Sequence, residues 1–116
     1  MLACTQEPEF EADSPIEYAS IEVGVFSCDV SVDPFCDTLS PIIGATVLVF
    51  ENEEDRAFGE PVLFENITGP TGKTTFNQLE QAETYFLRTL TPLGVQETSE
   101  KTPNRGTAFH ELIFPE

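Results

Sequence analysis

Positive charge is what this chain lacks most. Of its 116 residues 5 are Lys or Arg against 21 Asp or Glu, a formal net charge of -16. A polyanion of this kind repels phosphate backbones and anionic headgroups, so neither nucleic-acid binding nor electrostatic attachment to a membrane is expected. Long hydrophobic runs are missing as well. The longest uncharged stretch, residues 38–50, has 13 residues and is interrupted by Pro41 and Gly44, whereas a spanning helix needs about 20. There is no Trp and a single His, His110. General acid–base chemistry needs a partnered, tuned group, a Ser or Cys nucleophile needs a base, and zinc needs several His or Cys ligands. The expectation is therefore a protein that is not an enzyme, with no catalytic residue, no cofactor and no metal site. The length suits one domain.

The first fourteen residues carry Glu7, Glu9, Glu11 and Asp13 around Pro8, without apolar periodicity. They read as a flexible acidic tether, residues 1–14, ahead of a domain over residues 15–116. Within it, Leu2-Ala3-Cys4 resembles the cleavage box of bacterial lipoproteins, in which the Cys becomes the lipidated first residue. The charged and apolar regions of a signal peptide are not in the chain. The resemblance implies a lipid anchor at Cys4, the only membrane contact expected; a chance cysteine is the alternative.

From residue 15 onward, short β-branched and apolar runs alternate with Pro, Gly, Asn and Asp, the pattern of strands and turns. Ala19, Ile21, Val23 and Val25 alternate with Ser20, Glu22, Gly24 and Phe26, giving a first strand with one buried face. Residues 45–50 are apolar on both faces and read as a central strand. Its Val47 and Val49 point to the core, while Leu48 and Phe50 need cover. Residues 51–55 read as a solvated connection, 61–68 as a strand, 69–72 as a turn, and 73–79 and 84–90 as strands. Pro92 and Gly94 mark a turn, 98–106 a mobile polar loop, and 107–114 a closing strand. The fold class expected is all-β: a single antiparallel Greek-key sandwich of about seven strands.

Several apparent motifs dissolve on inspection. Gly69 and Gly72 before Lys73 are too close together for a phosphate loop, and β-formers follow. Asp29, Asp33 and Asp37, and Glu51, Glu53, Glu54 and Asp55, lack the loop length and central Gly of a calcium hand, so a solvated acidic face is the favoured reading, with calcium left open. Asn66-Ile67-Thr68 fits a glycosylation sequon, a triplet common by chance. Cys28 and Cys36 are separated by seven residues, and in an extracytoplasmic setting they are expected to pair. Two free thiols in a cytosolic protein is the alternative.

The stretch 41–94 resembles the prealbumin-like (transthyretin-like) sandwich family, whose relatives include carboxypeptidase regulatory-like domains and the B-type repeats of collagen adhesins. Pro41-Ile42-Ile43-Gly44-Ala45-Thr46-Val47 resembles that family's approach to its second strand. Thr68, Gly72, Phe76, Leu79, Tyr85 and Leu87 match its order of turn and inward residues. Glu83 stands where the family has Gly. No Lys precedes Lys73 and residues 107–114 contain no Asn, so the Lys–Asn crosslink of some adhesin repeats is not expected. With one His and an Ile-Phe-Pro-Glu end, the chain also lacks the residues of the hydroxyisourate hydrolases. The resemblance implies a monomeric binding or structural module at a bacterial cell envelope, as an outer-membrane lipoprotein or a periplasmic or surface protein, recognising a protein or a glycan. A small-molecule carrier or enzyme with a cleft between the sheets and a stalk domain of an adhesin are the alternatives. Three loops, 29–40, 51–60 and 93–106, are expected to gather at one end. Phe35 and Phe58 are expected chiefly to fold back as loop anchors, and otherwise to serve as ligand contacts.

Overall fold

The computed structural model describes residues 18–116. Eight strands and one short helix follow in the order β1 Ala19–Cys28, β2 Ser40–Pro41, β3 Thr46–Phe50, α1 Glu53–Phe58, β4 Phe64–Ile67, β5 Lys73–Leu79, β6 Thr84–Thr91, β7 Gly94–Lys101 and β8 Gly106–Pro115. They form two four-stranded sheets. In the first, β1 is central: β5 pairs with its first half and β2 with Phe26 and Ser27 on one edge, and β8 runs along its other edge. The second is a wholly antiparallel sheet in the order β4-β3-β6-β7. The fold is an all-β sandwich.

Its core follows from period-two alternation. Ile21, Val23 and Val25 of β1, Phe76 and Leu79 of β5, and Leu112 and Phe114 of β8 face Val47, Val49, Tyr85 and Leu87 of the other sheet. Burying each large aliphatic side chain contributes about 1.5–3 kcal/mol. Leu48 and Phe50 lie on the opposite face, and their cover is α1 and two arginines. Arg88 lies over the Phe50 ring at 5.9 Å and Arg56 over Phe86 at 5.3 Å. Arg88 is fixed by Glu97 at 2.6 Å and by the Arg56 carbonyl at 2.5 Å. Guanidinium groups suit this duty because they are planar, apolar on their faces and fork-shaped at their edges.

Four sequence expectations require correction. The sheet is not purely antiparallel, because β1 and β8 run side by side in the same direction. The connection at 51–55 is not free chain but opens α1, whose cap is the Asn52 side chain accepting from Asp55 N–H at 2.8 Å. Three acids in its first turn favour the positive helix end. The strand expected at 61–68 is shorter, Phe64–Ile67, with Leu63 N–H just ahead of it donating to the Val49 carbonyl at 2.8 Å; Pro61 has no N–H with which to extend the ladder further. Residues 98–101 are not loop: they complete β7, paired with β6 from Thr84↔Lys101 to Thr91↔Gly94. The loop that remains is held as well, Thr102 Oγ1 accepting from Glu83 N–H and donating to the Glu80 carbonyl at 2.6 Å.

The residues of the family resemblance have identifiable work. Thr68 Oγ1 donates to the Ile42 carbonyl at 2.6 Å and accepts from Ala45 N–H at 2.9 Å, pinning the start of β3 to the end of β4. In the turn between β5 and β6 the left-handed conformation falls on Ala82 (φ 53).

Candidate functional site

The most distinctive feature is the pairing of the first and last strands. They align in register over ten residue pairs, from Ala19↔Gly106 to Cys28↔Pro115. The described chain therefore enters the sandwich at one pole, the lower, and leaves it at the other, the upper. Antiparallel terminal strands would have put both ends at one pole. Glu116 N–H reaches the Cys28 carbonyl at 2.9 Å, so the hydrogen bonding between the two strands continues past the last aligned pair.

The upper end of this pair is stapled. Cys28 and Cys36 form a disulfide with a Cα–Cα separation of 5.6 Å, as their spacing led us to expect. Closing a loop this short contributes about 2.5 kcal/mol on a chain-entropy estimate. Inside the loop the acids act as fasteners. Asp29 accepts from the Ser31 hydroxyl at 2.6 Å and its N–H at 3.1 Å, and Asp33 accepts from Thr38 N–H at 2.9 Å. The bonds from Ser31, hydroxyl first, hold the Asp29 carboxyl below its usual range. Among the described residues no group of three His, Cys, Asp or Glu is placed to hold a metal ion.

Side-chain seams close the flanks between the sheets. On one flank His110 Nδ1 lies 2.8 Å from Glu100 Oε1 and its Nε2 2.8 Å from Thr98 Oγ1, while Gln96 donates to the Ile113 carbonyl at 2.9 Å. On the other, Asn66 donates to the Thr75 carbonyl at 3.1 Å. The sole histidine and the sequon asparagine are thus both engaged as cross-braces.

A cavity of about 190 Å³ lies at the lower pole, lined by Glu51, Leu63, Phe64, Gln78, Glu80, Glu83 and Tyr85. The Tyr85 hydroxyl accepts from Glu80 N–H at 2.9 Å. Burial raises its pKa above that of an ordinary phenol, and the nearby carboxylates of Glu80, Glu83 and Glu51 push the same way, against the Glu80 N–H bond.

The structure does not bring the sequence-predicted contacts together. The loops at 29–40 and 51–60 lie at opposite poles, because successive connections of antiparallel strands alternate between ends. The segment 93–106 itself runs from the upper pole to the lower, most of it as β7. Phe35 and Phe58 are 85% and 82% exposed, so neither folds back as an anchor, and they sit in segments at opposite poles, Phe35 in the disulfide loop and Phe58 at the end of α1. Cys4 and the tether at 1–14 lie outside the described residues. The parallel terminal pair was missed because its partners are far apart in sequence, and neither strand alone signals its direction.

No family model matches the chain, and no curated protein matches it. Among solved structures, a minor pilin of the Gram-positive pathogen Streptococcus agalactiae, GBS52, has a similar fold: TM-score 0.65 at 13% sequence identity, over 86% of this chain and 45% of the pilin. The chain thus spans less than half of that protein's length. At this identity the likeness establishes a shared β-sandwich architecture.

Proposed function

We propose that the chain is a non-enzymatic, extracytoplasmic structural module, a stalk or spacer of a cell-surface assembly that carries tension along its long axis. The observation that carries this reading is the in-register parallel pairing of β1 and β8. Tension between Ala19 and Glu116 slides these strands past each other, so the bonds of the ladder are loaded together rather than one at a time. The wholly antiparallel sheet, the side-chain seams and the arginine-covered outer face brace that pair from behind.

The disulfide supports an oxidising compartment, since such bridges persist outside the cytosol. The fold is shared with a minor pilin of a Gram-positive pathogen, which fits a surface structural role. The space between the sheets is filled by the apolar core, which speaks against a carrier cleft there. An anchor at Cys4 fits the same picture, and Phe35 and Phe58 would then be lateral contacts to a partner at the surface.

Protease shaving and biotinylation of intact cells test the location. The reading expects the domain to be labelled from outside and the peptide bearing Cys28 and Cys36 to be recovered bridged. A domain protected in intact cells, with both thiols free to alkylate, would overturn it.

A further inference from the structure

We propose that the Cys28–Cys36 bridge is a redox-operated latch. Its reduction releases residues 29–41, β2 included, as one unit from the edge of β1, while the sandwich behind them stays folded. Little besides the bridge holds this segment down. No residue from 29 to 44 is buried. The backbone bonds of Val32, Asp33 and Cys36 N–H, and the side-chain bonds of Asp29 and Asp33, all close within the loop itself. The strand β2 is two residues long and exposed, and its ladder with β1 consists of Phe26↔Pro41 and Ser27↔Ser40. A ladder of two pairs without buried side chains has a low opening cost once its loop is no longer closed.

The released arm has an anchor at each end. Ile42 packs against the core, its carbonyl accepts from Thr68 Oγ1 at 2.6 Å, and Gly44 N–H reaches the Thr68 carbonyl at 3.0 Å. At the other end Cys28 is 1% exposed and lies in the ladder with β8. Opening therefore stops at Cys28 and at Ile42 and does not run on into the core. The closed state also holds Cys36 at φ 53, in the left-handed region that a residue with a side chain avoids. Cutting the bridge lets Cys36 leave that conformation, which favours the open arm.

The two sulfurs are unequally placed for exchange with a dithiol reductant. Cys36 is partly exposed and Cys28 is not, so the incoming thiolate attacks Cys36 Sγ. The S–S bond breaks, its electron pair leaves on Cys28 Sγ, and that sulfur takes up a proton. The reductant's second thiolate then displaces Cys36, which is protonated in turn, and the reductant departs as its own disulfide. With the arm open, Phe26–Cys28 keep β8 as their ladder partner and lose β2, so the upper end of the terminal pair passes from three strands to two. The latch rests on packing and covalent geometry alone, so it stands or falls separately from the load-bearing reading.

Amide hydrogen exchange of the full chain, oxidised, reduced with dithiothreitol and then reoxidised, tests the proposal. Reduction is expected to speed exchange at Ser27, Asp33, Cys36 and Thr38 by about tenfold or more, and to leave Ile42, Val49 and Leu87 within about twofold. Reoxidation should restore the first pattern. Cys36→Ser, which leaves Cys28 in its buried place, should show the reduced pattern without reductant. Exchange at 29–41 that ignores reduction, protection lost throughout the sandwich, a pattern that reoxidation fails to restore, or a Cys36→Ser variant that exchanges like the oxidised protein would each overturn it.

Discussion

Replacing Gly72 by alanine separates two costs that are usually entangled. Gly72 has φ 76, and a methyl group on it would stand 2.7 Å from the Val25 carbonyl oxygen and 2.8 Å from Pro41 Cβ. Those neighbours cannot simply retreat. The Val25 carbonyl accepts from Ile42 N–H at 2.9 Å, and Val25 N–H donates to the Gly72 carbonyl at 2.7 Å. The left-handed backbone costs a non-glycine residue about 1–2 kcal/mol, and forcing a group into filled space costs about 1–3 kcal/mol more. Gly44 supplies the control, with φ 82 and no atom within 4 Å of the added carbon. Gly44→Ala then carries the backbone cost alone, offset by about 0.4–1 kcal/mol through restriction of the unfolded chain. Urea unfolding of the oxidised protein should place Gly72→Ala about 2 kcal/mol below Gly44→Ala at an unchanged denaturant slope. Two variants equal within about 0.5 kcal/mol would refute the close approach of the 69–72 turn to β1 and β2.

Two further expectations concern buried polar groups. Thr89 is 0% exposed, and its hydroxyl has no hydrogen-bond partner among the described residues. Removing an unsatisfied hydroxyl while keeping the branched shape favours the fold, so Thr89→Val should raise stability by about 1 kcal/mol, read by urea unfolding. Tyr85 gives a pH signature. Its folded pKa lies above the ordinary value of 10.0, so its contribution is complete below that pH and is lost as pH rises through the folded value. Unfolding midpoints should fall above about pH 10, and the part of the fall due to Tyr85 should vanish in Tyr85→Phe, whose profile is otherwise lowered uniformly by loss of the Glu80 N–H partner.

How much of this could be read beforehand depends on where the information resides. β1 was legible because Ala19, Ile21, Val23 and Val25 state their own periodicity, and the bridge because two cysteines eight apart can close a loop without distortion. β7 was not, since Gly94–Lys101 has no fully buried residue and is a strand only because β6 offers it a ladder. α1 carried a local signal in Asn52 followed by Glu53, Glu54 and Asp55, outweighed by its six-residue length. Leu48 and Phe50, apolar on the strand's second face, announced that cover was needed, yet Arg56 and Arg88 look like surface charges until the sheet sets them over the rings. The direction of β8 is a property of strands paired at long range, and no window of sequence contains both partners.

The central claim is that the terminal strands form a load-bearing pair, and single-molecule pulling addresses it directly. With handles at residues 18 and 116, force runs along the ladder. With handles at 18 and 104, both attachments lie at the lower pole and force peels Ala19 from Gly106 one pair after another. The account predicts a rupture force several-fold higher end to end than in the peeling geometry, and an extension that lengthens by roughly 20 Å when the Cys28–Cys36 loop is released by reduction. Equal rupture forces in the two geometries would contradict it.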